Sequence, residues 1–110
     1  MSRITGYHAH VYFDEASRER ARQLCEAAGR AFPVTVGRMH DKPVGPHPRG
    51  SCQLAFGSEL FADVIPWLIV NRRGLTVFVH AESGDVLRDH TEHVLWLGAS
   101  EALNLAALTK

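Results

Sequence analysis

The chain has 110 residues, the length of one ordinary domain with a single hydrophobic core, and residues 1–110 read as one unit. Twelve Lys and Arg balance twelve Asp and Glu with no block of like charge, so neither a nucleic-acid partner nor an anionic membrane surface is expected. Two cysteines are too few for a disulfide framework, no secretory leader is evident, and residues 61–70, the most apolar run, are interrupted by Asp63 and Pro66; a cytoplasmic protein without a membrane span is expected.

The compositional oddity is histidine, at positions 8, 10, 40, 47, 80, 90 and 93. Residues 7–13 alternate aromatic and β-branched residues with others, which predicts a strand. Successive side chains of a strand point to opposite faces, so Tyr7, Ala9, Val11 and Phe13 form one row and His8, His10 and Tyr12 the other, neighbours in a row lying roughly 6–7 Å apart. The first row reads as core. The second places two imidazoles and a phenol on one face, a pattern open to metal binding, proton transfer or plain surface exposure.

Asp14 is a candidate N-cap for a helix over residues 15–28, with Ala21, Leu24, Cys25 and Ala28 as the buried stripe and Gly29 as the stop. Residues 32–39 predict a second strand. Residues 40–50, rich in Pro and Gly, form a loop in which Pro46 and Pro48 hold His47 in extended backbone. Residues 51–56 predict a third strand with Cys52, Leu54 and Phe56 inward and Gln53 on the other face. Ser58 opens a second helix to about residue 72, with Phe61, Val64, Ile65, Leu68 and Ile69 buried, Pro66 inside it and Gly74 after it. Residues 75–80 predict the fourth strand, with Phe78 and His80 opposite Val77 and Val79.

The order βαββαβ predicts an α+β, ferredoxin-like antiparallel sheet with both helices on one face. The first strand is then central, antiparallel to the third and fourth, which sets His80 near His8 and Gln53 near His10. The opposite face needs a cover: the loop over residues 40–50, the C-terminal extension, or a second subunit's sheet in a dimeric α/β barrel. In that extension residues 94–97 are too apolar for a free tail, a short helix starts at Ser100, and His90 and His93 are spaced for one side of a helical turn. Asp89, His90 and Thr91 read as capping or structural hydrogen bonding as readily as chemistry.

Taken together, YHAHVYFD at residues 7–14, GPHP at 45–48 and DHTEHVLWLG at 89–98 resemble the DOPA 4,5-dioxygenase family, and WLIVNRRGLTVFVHAESGD at 67–85 extends the likeness over nearly the whole chain. The resemblance implies a small extradiol dioxygenase that opens a catechol such as DOPA or a related catecholic acid with O2 and Fe(II), and a homodimer. Zinc is another divalent metal that a purified sample could carry. Carried across residue by residue, it points to His8, His10, His47 and His80 around the metal. Here His80 is followed by Ala81-Glu82, where the family pattern has His-Pro and a small polar residue, a departure in the turn after His80.

No carboxylate falls into phase with these histidines, and Gln53 stands where a glutamate would serve. The expected metal ligands are therefore His10, His47 and His80, with His8 as base and Tyr12 beside it; the roles of His8 and His10 are interchangeable at this level. Phe78 and Tyr12 are expected against the substrate ring, Gln53 beside it, and Arg49 on a substrate carboxylate. Two other classes share this architecture. An RNA-recognition sheet needs aromatic and basic residues on the open face of its third strand, where Gln53-Leu-Ala-Phe-Gly offers neither. A non-catalytic metal- or ligand-binding dimer of the same fold is the second.

Overall fold

A computed structural model of the protein describes residues 3–109. Strand β1 (Gly6–Phe13) lies in the middle of a five-stranded antiparallel sheet. Its alternation has the expected outcome: Ala9, Val11 and Phe13 enter the hydrophobic core, and His8, His10 and Tyr12 occupy the other face. Asp14 closes the strand with a reciprocal capping box, its Oδ1 accepting the Ser17 N–H at 3.1 Å and its own N–H donating to Ser17 Oγ at 3.0 Å, so that a 3₁₀ turn (Glu15–Ser17) leads into the helix.

Helix α1 (Arg18–Ala31) buries Ala21, Leu24, Cys25 and Ala28 as their spacing predicts. Gly29 does not stop it. The helix ends at Phe32, whose φ of −139° is the extended conformation favoured before Pro33. Gly29 serves close approach instead, because a Cβ there would meet Val36 Cγ2 at 2.9 Å. Strand β2 (Thr35–Val36) is far shorter than residues 32–39, consistent with Pro33 lacking a donor and with its place at the sheet edge.

After the loop comes β3 (Gly50–Gly57). Ser58 does not cap a helix; residues Ser58–Leu60 make a 3₁₀ turn and the Ser58 hydroxyl donates to the Ile4 carbonyl at 3.2 Å. Helix α2 (Phe61–Asn71) contains Pro66 and buries Val64, Ile65 and Leu68, whereas Ile69, expected in that stripe, is 54% exposed. Arg73 and Gly74, with φ of 52° and 80°, turn the chain out of the helix.

Strand β4 (Val77–Glu82) starts and ends two residues later than predicted. Two further elements follow that the periodicity did not anticipate, helix α3 (Val86–Thr91) and strand β5 (Val94–Leu97). The helix expected from Ser100 is only a 3₁₀ turn at Leu105–Leu108. The sheet order is β2-β3-β1-β4-β5, with His8 opposite His80 and His10 opposite Gln53 across β1. Both α1 and α2 pack on the face that carries Ala9, Val11, Leu54, Val77 and Val79.

The second face is covered by the chain itself. The Asn104 N–H donates to the Pro46 carbonyl at 2.8 Å, Arg49 pairs with Glu101, and the ring of His90 on α3 stacks 4.0 Å from that of His80. Tyr12 and Phe78 are fully buried as a result. No helix among the described residues is long and apolar enough to cross a membrane.

Helix α3 is anchored by Asp89, a buried carboxylate that accepts from the Ser83 N–H at 2.8 Å, the Ser83 hydroxyl at 2.6 Å and His93 Nδ1 at 2.7 Å. Burial alone would push its pKa up, but the His93 and Ser83 hydrogen bonds outweigh that and hold it below the ordinary value. Replacing Asp89 by alanine strands three donors and should cost about 3 kcal/mol in urea unfolding. A loss under about 0.5 kcal/mol would show that the anchor is idle.

Candidate metal centre

Three histidines meet on the covered face. His8 and His10 come from alternate positions of β1 and His80 from the facing position of β4, so sheet register alone brings them together. Each offers a ring nitrogen, and these nitrogens lie within 4.8 Å of one another. The Nε2 atoms of His10 and His80 are 3.0 Å apart with the rings nearly parallel, at 18°. Metal–nitrogen bonds of about 2.1 Å meeting at roughly 90–110° place two donor atoms about 3.0–3.4 Å apart, so this pair has the spacing of one edge of a coordination shell.

Protonation also suits a cation. His80 Nδ1 donates to the Ala81 carbonyl at 3.1 Å, and since a carbonyl only accepts, the lone pair of His80 sits on Nε2. In the metal-free protein His10 Nε2 then carries the proton of the shared bond, so His10 binds a metal through Nε2 only once that proton moves to Nδ1. Burial, followed by the repulsion of neighbouring imidazoles, holds His10 well below 6.5. Burial likewise lowers His80 to about 4 and His47 to about 4, and it lowers His8 despite the opposing pull of Glu82. The cluster is a set of neutral imidazoles, the form that binds iron, zinc or copper. The donor set therefore fits a divalent transition metal.

His47 stands apart from the three. Its ring lies 4.0 Å from that of His10, but its Nδ1 is 2.8 Å from the Tyr12 hydroxyl, which buried aromatic and imidazole groups enclose. Burial pushes the Tyr12 phenol up, so it stays protonated. Phe78 is fully buried and stacked on Trp96 at 4.5 Å, which makes it the floor beneath His10 rather than a wall open to ligand. A cleft of about 150 Å³ reaches His10 and His47 from outside, lined also by Arg38, His40 and Gln53.

Arg49 is not on that cleft. Its guanidinium makes two hydrogen bonds to Glu101, at 3.1 and 2.8 Å, lies 3.9 Å from an Asp14 oxygen and stands 5.9 Å from the Tyr12 ring. The exposed arginine at the cleft is Arg38, which has no ion-pair partner among the described residues. Sequence reading also missed Glu82. Its Oε1 is 3.2 Å from His8 Nε2 and its Oε2 3.6 Å from His80 Nδ1. The signal was available: Phe78, His80 and Glu82 continue one period-two row, once β4 is carried two residues further. His90 too faces the cluster, with its Nδ1 donating to the Val86 carbonyl at 2.7 Å.

Fold and cluster together define an α+β domain able to hold a divalent metal on one face of its sheet. The pattern of the Dopa 4,5-dioxygenase family matches residues 7–107, and the chain belongs to that family. It is 37% identical over 116 aligned positions to the DOPA 4,5-dioxygenase of Amanita muscaria, an alignment covering 97% of this chain and 51% of that protein. It is 34% identical to an uncharacterized 21.2 kDa protein of Botryotinia fuckeliana, over 94% of this chain and 63% of the other. The chain thus spans about half to two-thirds of the length of these curated relatives. A crystal structure from Nostoc punctiforme, of a protein provisionally assigned as a dioxygenase, superposes with a TM-score of 0.95 at 51% identity, covering 97% of this chain and 93% of that one.

Proposed function

We propose that this chain is a metal-dependent extradiol dioxygenase that opens the ring of a catechol beside its hydroxyls. The observation that carries this reading is the convergence of the neutral His8, His10 and His80 nitrogens next to a small cleft, in a member of this family. His8, His10 and His80 would hold Fe(II), which exchanges the roles first expected of His8 and His47. Ferrous iron held by these histidines would supply the redox-active Lewis acid that ring opening of a catechol with O2 requires.

The remaining work falls to the chain. His47, neutral at working pH, is placed to take the catechol proton, its ring oriented by the 2.8 Å hydrogen bond between Nδ1 and the Tyr12 hydroxyl. The cleft admits the ring between His10, His47 and Gln53. Phe78 supports the cluster from below. Arg49 can serve a substrate carboxylate only after releasing Glu101, whereas Arg38 already faces the cleft. Both oxygen atoms of O2 end in the ring-opened product.

The βαββαβ core fits the ferredoxin-like arrangement, extended by α3 and β5. A homodimer remains part of the reading through the family resemblance alone, because the face a second subunit was to cover is filled by the chain's own loop and C-terminal segment, and a cytoplasmic location remains the default that the cysteine usage suggests. Sedimentation velocity reads the association state directly.

The deciding experiment is anaerobic reconstitution with ferrous iron, addition of DOPA and other catechols, then air. The expected result is a yellow ring-fission product with one O2 consumed per catechol. Bound iron with neither colour nor oxygen uptake across the panel would favour the non-catalytic binding reading.

A further inference from the structure

Among the described residues, Glu82 is the one carboxylate within 4 Å of two of the clustered imidazoles, at His8 Nε2 and His80 Nδ1. On the edge toward His8, its Oε1 lies 3.2 Å from Nε2, inside the spacing of about 3.0–3.4 Å that two donors on one metal adopt. Glu82 reaches this position because β4 runs two residues beyond His80, so Phe78, His80 and Glu82 share a face, and because Gly6, its partner across β1, has no side chain to intervene. Its side chain is 40% exposed, which leaves the carboxylate free to shift toward an ion without breaking a buried contact.

The other acids near this face are committed elsewhere. Asp89 is taken by Ser83 and His93, and Glu101 by Arg49. Three neutral imidazoles leave the full charge of a divalent ion uncompensated in a buried setting, and an anionic oxygen donor relieves that cost. Two histidines and a carboxylate are moreover the donor types that non-haem ferrous sites use. We propose that Glu82, whose carboxylate stands beside His8 just outside the three-histidine group, turns in to become the anionic donor of this metal centre. The proposal rests on the metal-centre reading above and concerns a residue at which this chain departs from the pattern its sequence resembles.

Cobalt(II) tests it, since its visible absorption reports the donor set without turnover. The unchanged protein should bind one cobalt(II) per chain. Glu82→Gln should bind it more than about 100-fold more weakly, beyond the 10–100-fold typical of outer-sphere partners, and with an altered spectrum. Glu82→Asp should recover part of the affinity. Because Glu82 is at a strand end and partly exposed, the metal-free Glu82→Gln protein should melt within a few degrees of the original, which separates a lost ligand from a lost fold. An unchanged spectrum in Glu82→Gln, whatever its affinity, overturns the ligand role. If the unchanged protein takes up no cobalt(II), zinc or iron, the metal-centre reading falls, and the Glu82 proposal with it.

Discussion

Replacing His80 by alanine should abolish stoichiometric metal binding and lower ring-opening turnover by about 10³-fold or more, since a metal's share of transition-state stabilisation is several kcal/mol and each 1.36 kcal/mol is tenfold in rate. His80 is the most constrained of the cluster. Its side chain is 2% exposed, its Nδ1 is tied to the Ala81 carbonyl, and its Nε2 forms the 3.0 Å edge with His10. Neither His8 nor His10 can replace it without moving a strand, because both are fixed by their own register. Tyr12→Phe is the contrast: it keeps the ring and the metal ligands and removes only the hydroxyl that fixes His47. Metal affinity should then be retained, and kcat should fall by about 10²-fold with the loss of an oriented base. Atomic absorption, an oxygen electrode and the metal-free melting temperature read the three quantities separately. Ring opening by a His80→Ala protein that holds no metal would sink the enzyme proposal.

What was legible in the sequence follows from what each pattern depends on. The faces of β1, the core row of β3 and the stripe of α1 rest on periods of two and 3.6 over eight or more residues, and those emerge as expected. Element order then placed His80 against His8 without any knowledge of side-chain contacts. The six residues of α3 and the four of β5 are too short for either period to declare itself. Glu82 was lost for a related reason: Ala81-Glu82-Ser83-Gly84 has the composition of a turn, and ending β4 at His80 moved the one useful carboxylate off the row. Long-range pairings left no local trace. Arg49 with Glu101, and His47 with Tyr12, are 52 and 35 positions apart, and the first of these withdraws the arginine that seemed free for substrate. An open sheet face likewise suggested a second subunit because the segments that close it have no periodicity of their own.

The metal-free protein should lose stability steeply between pH 6.5 and about pH 4. An unfolded chain protonates its histidines near 6.5, whereas burial keeps His47 and His80 near 4 and holds His10 well below its ordinary value. Below 6.5 the unfolded state therefore binds protons that the native state refuses, and the linkage slope makes stability fall as pH falls. Above 6.5 neither state is protonated at these sites and their contribution is complete; below about 4 the native imidazoles also titrate and the slope flattens. A single shift of this size is worth about 3 kcal/mol, so the shifts of this cluster together are comparable with the whole stability of a small domain. Acid unfolding of the metal-free protein is therefore expected near pH 5. Urea titrations at pH 7, 6 and 5 measure it, and His47→Gln should reduce the slope by up to one proton. A native state equally stable at pH 7 and pH 5 would mean that the imidazoles accept protons in place, which would contradict the neutral donor set on which metal binding depends. Bound metal should oppose the same loss at pH 6, because it stabilises only the native protein, and should cease to do so near pH 5 as protons compete for the ligands.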